Sequence, residues 1–189
     1  MQKPNSYDDV KIGEFTPIEL GGHHAIIKDV REQKTSTGKD MIVVAIDFAV
    51  NDKQAGYFLN SFENDIRPDK KWPYQAVQYI VVEDADNKTT RNFKSFITAF
   101  EDSNNCEATW GDSFCLQFKG KKIGVVYGNV EEEYNGEIKM RRRIRFFCKD
   151  SIVDTTKVPA DKLLNTSGSA SANNGFMSIP NNSDEVIPF

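Results

Sequence analysis

Four cations at alternate positions, Lys139, Arg141, Arg143 and Arg145, stand in the run EIKMRRRIRFFCKD. On an extended strand alternate side chains share a face, so this spacing aligns them with Phe147 and Lys149. Such a row supports recognition of a polyanion. Guanidinium and ammonium groups meet phosphates, and a ring stacks on a base at about 1–3 kcal/mol. The other parity holds Ile138, Met140, Ile144, Phe146 and Cys148 and reads as the core-facing side. Arg142 interrupts it, which fits a barrel rim, a bulge or a stem that snorkels outward. The competing account is a solvated face whose cations pair with Glu131, Glu132 and Glu133 across a hairpin. A row of like charges repels itself unless something anionic lies along it, and that favours a nucleic-acid strand.

The formal net charge of −4 hides this asymmetry. Between Gln117 and Lys149 nine basic residues face four acids, a local excess of five in an acidic chain. Binding follows the local field rather than the average. Lys121 and Lys122 add to the same segment, with Tyr127 and Tyr134 on the neighbouring strand. Arg31, Lys34 and Lys39 surround a loop between two early strands, and Trp72 and Tyr74 in DKKWPYQ mix rings with flexible cations. These residues complete the candidate nucleic-acid contacts.

Other chemistry lacks its residues. His23 and His24 are the only histidines, and adjacent strand positions point to opposite faces, a poor arrangement for one metal. Glu131 to Glu133 do not converge on one ion. There is no phosphate-binding glycine loop, no nucleophile elbow and no Cys/His couple. The expectation is a non-enzyme with no metal or cofactor. Three widely spaced cysteines, Cys106, Cys115 and Cys148, fit a reducing cytosol. No apolar run approaches the roughly 18 residues of a membrane span, and the polar start MQKPNSYDDVKIGEF does not read as a signal peptide.

The elements that must hold the row in place are mostly strands. HHAIIKDVRE and MIVVAIDFAV flank the polar QKTSTGKD as a hairpin, and YQAVQYIVVED is a third strand after the loop-rich NSFENDIRPDKKWP. Phe93, Phe96, Ile97 and Phe100 then recur at i, i+3, i+4 and i+7, one face of a helix that Thr89 or Thr90 caps and SNN ends. Their stripe reads as core packing. GKKIGVVYGNV and EIKMRRRIRFFCKD form a second hairpin through Asn135-Gly136. VPADKLL reads as a short helix with Pro159 in its first turn. Three strands, a helix and two strands is the order of the OB-fold, a five-stranded Greek-key barrel that binds oligonucleotides on one face. The chain therefore divides into an N-terminal arm (1–18), an OB-fold-like domain (19–164) and a tail (165–189). The tail holds no Lys or Arg, and NTSGSASANNGFMSIPNNS is too polar to offset the entropy of ordering it.

Several segments taken together resemble a family of phage-encoded proteins from replication or recombination modules of phages of Gram-positive bacteria. They are ELGGHHAIIKDVREQKTSTGKDMIVVAIDFA, AGYF, FKSFITAFEDSNN, KGKKIGVVYGNVEEEYNGEI and RRRIRFFCKDSI. Some members are regarded as single-stranded DNA-binding proteins with an OB-fold. The resemblance implies a mainly β barrel that coats single-stranded DNA in the cytoplasm of an infected or lysogenic bacterial host. The last six residues, DEVIPF, are similar to the acidic tip of bacterial single-stranded DNA-binding proteins. That likeness implies docking on helicases, primases, polymerase subunits or nucleases. Asp184 and Glu185 would supply charge, Ile187 and Phe189 apolar anchors, and the Phe189 carboxylate a further contact, with Val186 and Pro188 belonging to the same docking tip. The sequence departs from that tip in having only two acids. A protein-interaction decoy and a recombination mediator or annealing protein are the alternative functions. One barrel has a short footprint, so a homo-oligomer would lengthen it, although no interface motif is visible.

Overall fold

The structure is a computed structural model that describes residue 3 and residues 16–164. Five strands, β1 (Gly21–Lys34), β2 (Asp40–Phe48), β3 (Val77–Val81), β4 (Lys122–Tyr134) and β5 (Glu137–Cys148), form one antiparallel sheet in the order β3-β2-β1-β4-β5. This is a mainly β, OB-like arrangement with helix α2 (Arg91–Asn104) between β3 and β4. The long β1 makes it possible, because its first half pairs with β4 and its second half with β2. A register shift between Ile27 and Asp29 lies at the changeover. The sheet curls without closing: β3 and β5 are its two edges.

Local signals account for most elements. Thr90 caps α2 through its Oγ1, which accepts from the Phe93 N–H at 3.2 Å, and Asn105 ends the helix in the left-handed region. The stripe Phe93, Phe96, Ile97 and Phe100 is buried against the sheet. Asn135 and Gly136, both at positive φ, make the two-residue turn of the β4–β5 hairpin. The two histidines do point to opposite sides. His23 is wholly buried, its ring stacked on Phe48 at 4.2 Å, with Nδ1 3.0 Å from Asp52 and Nε2 3.0 Å from the Glu19 carbonyl. His24 instead faces the 3-10 turn Asp150–Thr155, with Nδ1 2.7 Å from Asp150 and Nε2 3.5 Å from Asp154. Gly22 and Gly124 clear the sheet for that turn. A Cβ on Gly124 would lie 2.7 Å from a Val153 methyl, and one on Gly22 would strike the Val153 carbonyl.

Two segments differ from their sequence-based reading. Helix α1 (Tyr57–Glu63) runs into the first four residues of the stretch read as loop, Asn60 to Glu63. Its cap comes from a distant residue: buried Asp47 of β2 accepts from the Phe48 and Phe58 N–H groups at 2.9 and 3.0 Å. VPADKLL, expected to be helical, is extended. Lys162 bridges to Val130 in parallel, donating its N–H to the Asn129 carbonyl and accepting from Glu131. Seven residues gain little as an isolated helix. Beyond Tyr127, where β4 has left β1, they instead satisfy backbone groups along an otherwise bare edge. The N-terminal arm is fastened at its end: Ile18 is buried, and the Thr16 and Pro17 carbonyls accept from Tyr57 and Gln54.

Burial pushes the Asp47 carboxyl above its usual range, against the opposing backbone hydrogen bonds. Asp47→Asn keeps an acceptor oxygen and removes the buried charge, so it is expected to match the parent in urea unfolding at pH 7. Asp47→Ala strands the α1 N–H groups and is expected to cost about 1–3 kcal/mol. For His24, burial lowers the pKa but Asp150 and Asp154 outweigh it, and the net direction is upward. A raised histidine pKa stabilises fully below the ordinary value and fades as pH rises through the raised one. Urea midpoints are therefore expected to fall as pH rises from the ordinary imidazole range through the raised His24 value, and His24→Ala to flatten that fall.

Candidate nucleic-acid interface

A bulge in β5 decides which side chains face outward. Pairing runs Tyr127 to Ile144 and then Val126 to Phe146, so Arg145 is the extra residue. Lys139, Arg141 and Arg143 share the outer face, and after the bulge Phe146 takes the outward place that strict alternation assigned to Phe147. Phe146 is 41% exposed. Phe147 is 6% exposed and meets Phe96 edge-on at 5.2 Å, so this expected stacking ring is a core residue. Ile138 and Met140, expected in the core, are exposed because the hairpin outruns the barrel body.

The cations divide by what holds them. Arg143 makes a two-pronged bond with Glu132, both contacts 2.6 Å, and its guanidinium lies 4.3 Å from the centre of the Tyr74 ring. Cross-hairpin pairing thus applies to this arginine. Lys139 pairs with Glu137 at 2.5 Å. Arg145 donates to the Asn129 and Ala160 carbonyls and lies with Pro159 over Gly128, where a Cβ would meet its Cγ at 2.9 Å. The interrupting Arg142 reaches the carbonyl of Ile18. Arg141 is exposed.

Tyr74 is the ring best placed for contact. It stands on the 3-10 turn Tyr74–Ala76 at the start of β3, half exposed, its ring centre 6.5 Å from that of Tyr79. Burial pushes its phenol pKa up, with Arg143 opposing. Tyr79 pairs with Val43, and Val43 with Arg31, so the three share one face of β3, β2 and β1. The result is a band from Arg143 through Tyr74 and Tyr79 to Arg31, floored between them by Val43, which is itself buried in the core. At its far end Arg31 meets Asp29 at 2.5 Å, Lys34 meets Asp40 at 2.6 Å, and Lys39 is half-buried in the β1–β2 loop. Tyr79 and Phe146 were not anticipated. Tyr79 sits in a run whose alternation is legible, whereas Phe146 depends on a bulge with no local signature.

Other expected contacts lie elsewhere. Trp72 is 6% exposed, its indole N–H donates to the Ile46 carbonyl at 3.0 Å, and it packs beside Phe62, so it is no stacking platform. Lys121 and Lys122 are exposed at the start of β4, where Asn104 accepts from the Lys122 N–H; further along β4 the expected contact Tyr127 is wholly buried and belongs to the core, whereas Tyr134 is exposed at the hairpin end. Lys122 is six residues from Gly128, the partner of Arg143, roughly 20 Å along a strand. The tip residues Asp184, Glu185, Val186, Ile187, Pro188 and Phe189 lie outside the described residues.

Nucleophilic and metal chemistry find little here. The Cys115 and Cys148 thiols are pushed up to about 11, chiefly by burial, which keeps them protonated near neutrality. Among the described residues no cluster of three or more His, Cys, Asp or Glu side chains could hold a metal ion, and no helix is long and apolar enough to cross a membrane. No protein-family model matches the chain, and no curated protein matches it.

Trp72 and Trp110 are the two tryptophans, and Trp110 is well exposed. Trp72→Phe is expected to leave a red-shifted, readily quenched emission from Trp110 alone. Loss of the Ile46 hydrogen bond should lower stability by about 1 kcal/mol. An unshifted emission would contradict the burial of Trp72.

Proposed function

We propose that this protein binds single-stranded DNA without reading base sequence, as a non-catalytic coating protein of phage DNA replication or recombination. The carrying observation is the band of Arg143, Tyr74, Tyr79, Val43 and Arg31 on the OB-like face. Rings beside guanidinium groups suit bases that stack and phosphates that pair, and duplex DNA keeps its base faces hidden. Arg141 and Lys139 extend the cations along the hairpin. Glu132 bonded to Arg143 holds the guanidinium over the Tyr74 ring and moderates its charge, which favours an exchanging strand over permanent capture. The DEVIPF ending supports a second activity, recruitment of helicases, primases, polymerases or nucleases by the tip. Its likeness to the tip of bacterial single-stranded DNA-binding proteins is the ground for it. Cytoplasmic location in a bacterial host belongs to the same reading.

Fluorescence anisotropy with labelled oligo-dT at low and moderate salt tests this. Binding is expected to weaken with salt and to yield to single-stranded but not duplex competitor. Tyr79→Ala and Tyr74→Ala are each expected to cost about 1–3 kcal/mol of affinity. Arg141→Glu should lower affinity and flatten the salt dependence. Absence of binding at both salts would overturn the reading.

A further inference from the structure

On the side of α2 turned from the core, Arg91, Lys94 and Thr98 stand at i, i+3 and i+7, one above another. Across a groove of about 700 Å³ they face the end of β5 and the turn after it, where Lys149 and Ile152 stand. Arg91, Lys94 and Lys149 are exposed, and among the described residues no ion pair engages them. The hydroxyl side chains of Thr89, Ser95 and Thr98 line the same groove; Asp102 stands in it as the single acid. The positive end of the α2 dipole lies at the Arg91 end. Three cations without an ion pair rim a groove whose floor is formed by Ala99, Phe147 and Ile152 and whose polar groups are hydroxyls, with Glu101 and Glu107 beyond Asp102 at the Lys149 end; the cations and hydroxyls suit phosphates.

The Thr90 end of the groove lies close to the β1–β2 loop. At its mouth the Thr90 N–H donates to the Val82 carbonyl and the Val82 N–H to that of Asp40, which puts α2 beside the β1–β2 loop with Lys39. Along β5, Lys149 is six residues from Arg143, roughly 20 Å. Both sites therefore border the open seam between β3 and β5.

We infer that the α2–β5 groove is a second phosphate-binding surface that takes the backbone of a DNA strand leaving the tyrosine-bearing face. This rests on the single-stranded DNA reading and extends it. Short oligonucleotides fill the sheet face alone, and longer ones also reach Arg91, Lys94 and Lys149. The footprint then exceeds what the five-residue band covers.

The test compares oligo-dT of about 6 nucleotides, within the roughly 4–16 that a single OB-fold binds, and of about 20 nucleotides, which exceeds that range. It uses the full chain and an Arg91→Ala/Lys94→Ala/Lys149→Ala variant, with thermal melts to confirm folding. The short oligonucleotide should bind both proteins equally. The long one is expected to bind the variant about 10-fold more weakly, with a salt slope shallower by about 2, from roughly 0.7 per lost phosphate contact. A charge-retaining Arg91→Lys/Lys94→Arg/Lys149→Arg variant should bind like the parent, and it serves as the decisive comparison if the alanine variant melts early. Equal affinity of all three proteins for the long oligonucleotide overturns the groove and leaves the single-stranded DNA reading intact. Failure of the parent to bind either length removes both. Loss of binding to a labelled peptide ending DEVIPF, with both oligonucleotides unaffected, assigns the groove to an acidic peptide and overturns the proposal.

Discussion

The phenol of Tyr127 holds together a sheet that does not close. Its ring is wholly buried, edge-on to His23 and Phe48, and its hydroxyl donates to the Gln75 carbonyl at 2.8 Å. With β3 and β5 as free edges, that bond ties β4 to the turn that begins β3. A buried hydroxyl without a partner carries a penalty of about 1–3 kcal/mol, so the turn is held where the bond can form. Tyr74 precedes Gln75 and is thereby fixed under Arg143 at the seam. The placement of the candidate interface follows from a core residue that never meets solvent.

The same cluster accounts for helix α1. Phe58 packs against both Phe48 and Tyr127, and its N–H is one of those capped by Asp47. A carboxylate in the core is tolerated because the backbone of α1 supplies its donors, and a seven-residue helix is tolerated because it is capped from the sheet. Trp72 then closes over this side, with its indole on the Ile46 carbonyl. The segment from Tyr57 to Trp72 covers part of β2 and leaves the Tyr79–Val43–Arg31 row at the border of the covered region. This explains why β2 is buried on both faces although the sheet is one layer of strands.

The parts of the fold legible in the sequence are those with local causes. A positive-φ pair made the second hairpin, a threonine made the cap, and 3.6-residue periodicity placed Phe93, Phe96, Ile97 and Phe100 inside. What escaped has remote causes. Neither Asp47 nor Phe58 reveals singly that one caps the helix carrying the other. The Arg145 bulge is visible only in the pairing with β4, yet one extra residue exchanged the roles of Phe146 and Phe147. Pro159 suited a helix start, but the unpaired edge of β4 offered more hydrogen bonds than a one-turn helix. For the site, residue types were legible and their neutralisation was not. Arg143, Arg145 and Arg142 look equivalent in the run, but a carboxylate, two carbonyls and a third carbonyl hold them in different ways.

That difference divides the work among the cations. An arginine clamped to a carboxylate and a ring has lost its rotamer freedom before any ligand arrives, so contact with it costs little further entropy. Exposed side chains such as Arg141, Lys94 and Lys149 keep theirs and act as mobile charge that raises the local concentration of a polyanion. In the proposed single-stranded DNA reading, the first kind would position a strand and the second attract it. An acidic protein of net charge −4 can hold a polyanion on these terms because screening confines each field to about 10 Å at 0.1 M salt. Carboxylates on distant faces are then silent at the seam, while Glu132 and Asp29 act directly on the arginines they touch. On the proposed reading, affinity on this surface would therefore be governed by a few paired acids within the band rather than by the overall charge of the chain.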